Sequence, residues 1–173
     1  SEDPEGTPLL RHAIGGMKAL LAESMAIFAP NANSFRRFKA NSYAPVAATW
    51  GVNNRTVSLR VPAGSPASRH VEHRICGADA NPYLAMAAVL AAQLHGIRHK
   101  IDPGPAVVGN GYEAEGADIR LPNHWAAAIG AFESSDLMKQ YLGERFVKHY
   151  STVKGVEMAR FMAEVTELDY AWY

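Results

Sequence analysis

From residue 81 to residue 96 the chain reads NPYLAMAAVLAAQLHG, and within it YLAMAAVLAAQL is apolar on nearly every side of a helix. A helix of that kind has little face to give to water, so the pattern predicts burial in a core or in an assembly. Its ends are marked in the sequence. Asp79 or Asn81 can cap the first free N–H groups, Pro82 suits the first turn, and Gly96 can end the helix. The apolar run over residues 82–94 is shorter than the roughly 20 residues a membrane span needs. The rest of the fold must therefore provide this helix with a protein surface.

Candidate surfaces follow from the periodicity elsewhere. Over residues 9–28, Ile14, Met17, Leu20, Leu21 and Met25 share one helical side, and Pro30 ends the element. Gly15-Gly16 inside that run either weakens a straight helix or lets another backbone pack close. Residues 29–45 read as irregular. Residues 57–61 and 69–75 alternate as strands, the second placing Val71, His73 and Ile75 on one face and His70, Glu72 and Arg74 on the other. Residues 99–123 form a Gly- and Pro-rich loop in which Tyr112 reads as an ordinary exposed tyrosine. Amphipathic helices fill residues 124–171, and the aromatic tail Tyr170, Trp172, Tyr173 is expected to dock on the body. The predicted class is α+β, with an antiparallel sheet packed against helices.

Charge and cysteine content remove several function classes. The 17 basic and 17 acidic residues cancel, so no excess of either sign points to nucleic acid or to an anionic membrane. Cys76 stands alone, which rules out an intrachain disulfide and makes the cytoplasm the expected setting. The first eight residues, SEDPEGTP, do not resemble a signal peptide, and a start on Ser1 hints at truncation or processing. His12, His95, His99, His124 and His149 are read as satisfied surface or core histidines that show no metal-ligand spacing, such as HxxxH on a helix facing a carboxylate. No GxxxxGK[ST] loop, GxGxxG turn or GxSxG elbow is present.

The distribution of arginine is unusual. Arg36, Arg37, Arg55, Arg60, Arg69 and Arg74 lie close together in segments that otherwise look half buried. If the strand face carrying Glu72 and Arg74 lines a cleft, a carboxylate flanked by guanidinium groups suits a metal and phosphate site, because planar forks give bidentate hydrogen bonds. A structural salt-bridge network would cluster the same charges.

At this point four segments resemble a known family in order and spacing. Asn33-Ser34-Phe35-Arg36-Arg37 is similar to the NSY[KR]R segment of glutamine synthetases, and Trp50-Gly51, Asn54-Arg55 and Arg60 to their WG-x-x-NR-x-x-x-x-R strand. Arg69-His70-Val71-Glu72-His73-Arg74 resembles R-x-[IV]-E-x-R, and Ala80-Asn81-Pro82-Tyr83-Leu84 the ANPYL motif that follows it. The resemblance covers residues 9–104 well and the remainder loosely.

The resemblance implies a two-step reaction. ATP phosphorylates the γ-carboxylate of glutamate, and an amine then displaces phosphate to give a γ-glutamyl amide. Carried over motif by motif, Glu72 is implied as a ligand of Mg²⁺ or Mn²⁺, Arg55 as the cation on the transferring phosphoryl group, and Arg60 with His70 as contacts to ATP phosphates. Arg37 is implied to hold the α-carboxylate of glutamate and Arg74 to lie near its γ-carboxylate. Two positions depart from glutamine synthetases proper. His70 stands where a second arginine is usual, and Tyr43 stands before Ala44-Pro45 where a glutamate helps to hold ammonium. Both the Tyr43 departure and the flavour of HR-x-x-GADANPYL point to the γ-glutamyl polyamine branch, with ammonia-using glutamine synthetase and a non-catalytic relative as alternatives. Residues 1–173 are accordingly expected to be the C-terminal part of a catalytic domain, without the N-terminal β-grasp domain and the upstream metal ligands. The parent is expected to be a homo-oligomeric ring, and the isolated chain inactive.

Overall fold

The computed structural model describes Asp3, residues 5–114 and residues 120–172. Helix α1 (Pro8–Ala19) starts at Thr7, whose hydroxyl oxygen accepts the Leu10 N–H at 3.2 Å. The single helix expected over residues 9–28 is in fact two, because residues 20–24 form turns before the short α2 (Met25–Phe28). Leu20, Leu21 and Met25 still reach the core from this bent path. The apolar spacing therefore reports which residues are buried and not whether the helix is continuous.

Helix α3 (Pro82–His99) is capped by Asn81, whose side-chain oxygen accepts the Tyr83 and Leu84 N–H groups at 3.0 and 3.3 Å. It runs through Gly96 and stops only where Lys100 turns left-handed, with φ 51°. Gly96 is a crossing point instead of a terminator. A Cβ on Gly16 would collide with the Ala92 carbonyl oxygen and the Gly96 backbone, and one on Gly96 would collide with the His12 carbonyl oxygen and the Gly16 backbone. Two glycines thus bring the α1 and α3 backbones into contact, the close-packing alternative for Gly15-Gly16. Burial of α3 is confined to this small-residue face, at Ala88, Ala91, Ala92 and Gly96. Its opposite stripe is open, with Tyr83 83%, Met86 60% and Leu90 56% exposed, so within this chain α3 is not enclosed on all sides.

The sheet has three short strands, β1 (Trp50–Val52), β2 (Leu59–Val61) and β3 (Glu72–His73), in the order β1-β2-β3. β2 and β3 are antiparallel as expected, whereas β1 and β2 are parallel, which makes the sheet mixed. Parallel neighbours usually need a long crossover. Here residues 53–58 suffice, helped by Asn53 in the left-handed region at φ 48°. Asn54 holds this loop from within, its oxygen accepting from Thr56 and its amide donating to the Val107 and Gly109 carbonyls at 3.1 and 2.9 Å.

Helices α4 (Trp125–Ser134), α5 (Asp136–Leu142) and α6 (Glu144–Ala163) close the other side of the core. Trp50, Leu59 and Ile75 from the sheet region meet Leu20, Phe132 and Met138 there, all fully buried. The last helix, α7 (Glu167–Trp172), does not dock: Tyr170 is 78% and Trp172 79% exposed. Tyr173 lies outside the described residues. Tyr112 is half-buried instead of exposed, and its hydroxyl donates to the Ala44 carbonyl at 2.9 Å. Among the described residues no helix is long and apolar enough to cross a membrane.

Candidate functional site

The register of β2 on β3 sets Arg60 directly opposite Glu72, with Leu59 opposite His73 on the other face. This pleat puts Leu59 in the core and both charged residues on the cleft side. Arg60 Nη1 donates to Glu72 Oε2 at 3.0 Å, and Arg74 Nη1 donates to Glu72 Oε1 at 2.9 Å. One carboxylate therefore separates two guanidinium groups whose side chains are only 18% and 16% exposed. Burial alone would raise the Glu72 pKa, but hydrogen bonds and charge from Arg60 and Arg74 outweigh it and hold the carboxyl below its ordinary value.

The free arms of the two arginines reach the wall of a cleft. Arg60 Nη2 donates to the Asn53 side-chain oxygen at 2.7 Å, and Arg74 Nη2 to the Tyr43 carbonyl at 3.0 Å. Asn53 and Tyr43 both line an open cavity of about 700 Å³, together with Arg55 and Asn54. Tyr43 is 65% exposed and left-handed at φ 59°, a conformation that bulky residues adopt at a cost of about 1–2 kcal/mol. Arg55 is exposed on the loop that Asn54 pins. Alternation placed Glu72 and Arg74 together, with His70 as the third member; Arg60 was tied to them only by the resemblance, and Asn53 was missed. The signal for Asn53 was the Asn53-Asn54 pair, residues that tolerate a left-handed turn.

Among the described residues no bond joins Arg37 or His70 to this trio. Arg37 donates to the Ile75 carbonyl, stacks on the Phe38 ring with its guanidinium carbon 4.3 Å from the centroid, and sits in the field of Asp79. Asp79 is fixed by Ser34 and by Asn31, and these bonds with the Arg37 charge overcome burial to keep its pKa low. Arg37 therefore belongs to a second cluster, on the side of β3 where His73 packs against Phe28. His70 is exposed, and its Nδ1 lies 2.8 Å from the Ser68 carbonyl. Among the described residues the buried Nε–H groups of Arg37, Arg60 and Arg74 have no hydrogen-bond partner.

A divalent cation suits this donor set only in part. A carboxylate oxygen is the right chemistry for a hard ion, yet Glu72 stands alone. Among the described residues no group of three His, Cys, Asp or Glu is placed to hold a metal.

Residues 1–173 match the family described as "Glutamine synthetase, catalytic domain". The chain belongs to the glutamine synthetase family. It is 45% identical over 168 residues to gamma-glutamylputrescine synthetase PuuA of Escherichia coli (strain K12), a match covering 97% of this chain and 35% of that protein. It is 39% identical over 159 residues to gamma-glutamylethanolamide synthetase GlnA4 of Streptomyces coelicolor, covering 92% of this chain and 34% of that protein. The solved structure "Apo GmaS without ligand" superposes with a TM-score of 0.83 at 30% identity, over 98% of this chain and 39% of that one. The chain thus spans about a third of the length of the curated relatives it matches.

Proposed function

We propose that the whole protein joins the γ-carboxylate of glutamate to an organic amine through a γ-glutamyl phosphate, with ATP as phosphoryl donor. The observation that carries this reading is the Arg60–Glu72–Arg74 trio bonded to two walls of the cleft, Asn53 and Tyr43. Phosphoryl transfer needs positioning and neutralisation of spread negative charge more than covalent chemistry, and fixed guanidinium groups supply both. In the proposed first step the γ-carboxylate oxygen attacks the ATP γ-phosphorus and ADP leaves. In the second, the amine attacks the acyl carbon, phosphate leaves, and the amine proton passes to solvent or a base outside this chain.

Arg55, on its loop at the cleft, would neutralise the transferring phosphoryl group, with Arg60 on the ATP phosphates and Arg74 near the acyl phosphate. His70 would contribute weakly, since with Nδ1–H donated to Ser68 its Nε2 donates to phosphate only as an imidazolium. Arg37 would bind the α-carboxylate of glutamate through donors not spent on Ile75. Glu72 would provide one ligand to Mg²⁺ or Mn²⁺, with the remaining ligands from outside this chain. When bound, that ion adds charge neutralisation at the phosphates. A ring-shaped homo-oligomer and a cytoplasmic setting belong to the same proposal.

An organic amine is preferred to ammonia because a phenol at Tyr43 brings no carboxylate to hold ammonium, and because the two curated relatives above are named for amine substrates. The test is ATP-dependent phosphate release by the full-length protein with Mg²⁺, glutamate and ammonia, putrescine or ethanolamine in turn. Turnover with an organic amine in preference to ammonia is expected. Turnover with ammonia alone would make the protein a glutamine synthetase, and silence with every acceptor would favour a non-catalytic relative.

A further inference from the structure

The two histidines near the end of α3 stand four residues apart, at 95 and 99, and so lie one turn apart on the same face. The expectation that no histidine pair has metal-ligand spacing does not hold here, because both residues lie on α3 and the fold brings Glu23 close enough for its charge to act on His95. The two imidazoles have centroids 4.6 Å apart at an interplanar angle of 48°. Two ring nitrogens each about 2.0–2.1 Å from a shared ion require rings about this close. A third element contributes as well. Tyr141 of α5 lies edge-on to His95, with its hydroxyl oxygen 3.1 Å from Nδ1.

We propose that His95 and His99 chelate one borderline transition-metal ion, of the class of Zn²⁺, Ni²⁺ or Cu²⁺, separate from the catalytic cleft. With Nδ1–H donated to the Tyr141 oxygen, His95 keeps the Nε2 lone pair for the ion, the arrangement in which an outer partner fixes the tautomer of a ligating histidine. His99 is exposed and can turn either nitrogen to the same point. The negative end of the α3 dipole favours a cation at this place. Only two protein ligands are present, and no third His, Cys, Asp or Glu among the described residues completes the set. Water fills the remaining positions. Imidazole nitrogen also sets the selectivity: Cu²⁺ binds most tightly, Ni²⁺ and Zn²⁺ next, and Mg²⁺ not at all.

Isothermal titration of the tag-free full-length protein with ZnCl₂ and with NiCl₂, in excess Mg²⁺ to fill the oxygen-ligand sites, tests this directly. One further equivalent per chain is expected. His99→Ala and His95→Asn should each lose it, while circular dichroism and Mg²⁺-dependent turnover stay unchanged. Absence of that equivalent in the wild type, or its survival in His99→Ala, would overturn the proposal.

Discussion

Glu72 keeps Arg60 and Arg74 close together by giving each one carboxylate oxygen. In the full-length protein Glu72→Ala should lower turnover by about a hundredfold or more, with the circular dichroism spectrum retained; near-normal activity would remove Glu72 from the site. Arg55→Ala should lower kcat more than it raises KM for ATP, because its contact is assigned to the transition state. His73 supplies a separate prediction about pH. Burial first, with Arg37 adding to it, lowers its pKa from the usual 6.5 to about 4. Between those values the unfolded chain binds more protons than the folded one, so stability falls as pH drops from 6.5 toward 4, by about 3 kcal/mol in all. Glu72 acts in a lower window, since a depressed carboxyl loses its contribution only as pH falls through its folded value. Thermal melts from pH 7 to 4.5 should slope downward, and His73→Gln should flatten that slope. Glu72 and Arg74 were legible in the sequence because period-two alternation sorts a strand into two faces, and Arg60 was legible through its place in the WG-x-x-NR-x-x-x-x-R segment. The place of Arg37 was not, because short 3₁₀ turns such as the one at Ala32–Arg37 carry no usable period: its guanidinium goes to Ile75, two residues beyond β3.

Helices α1 and α3 show how one residue type can carry opposite meanings. Gly96 was expected to end α3 because glycine is common just past a helix, yet here it is the point of closest approach to Gly16. Nothing in one sequence separates the two roles, since both require the absence of a Cβ. Adding that atom is the clean test. Gly16→Ala places a methyl group against the Ala92 carbonyl and the Gly96 backbone, neither of which can turn away as a side chain could. The helices must move apart, at roughly 3 kcal/mol, and the melting temperature should fall by about 10 °C. Gly130→Ala on α4, with open space around its Cβ position, should be tolerated and serves as the control. The existence of α3 and its Pro82 start were legible, and Asn81 was one of the two caps the sequence allowed. Its open stripe was not: hydrophobicity on every side records what the residues can bury, and this chain offers a partner for only one face.

At the scale of the molecule, the α+β class and the family were readable from four short segments. The parallel pairing of β1 with β2 and the projecting C-terminal helix were not. Strand direction is decided by the connection, and Asn53 allows an unusually short one. The aromatic tail carried the composition of a docking segment, yet Tyr170 and Trp172 stay exposed. Deleting residues 164–172 should therefore change the melting temperature of the chain, produced alone, by less than about 2 °C, whereas a larger fall would mean that α7 does pack on the body. The Gly16–Gly96 contact has a consequence for the order of events during synthesis. At about 5–20 residues per second, roughly 4–16 s separate the emergence of the two glycines. Through that interval α1 has no α3 to lie against and must wait for a partner still being made.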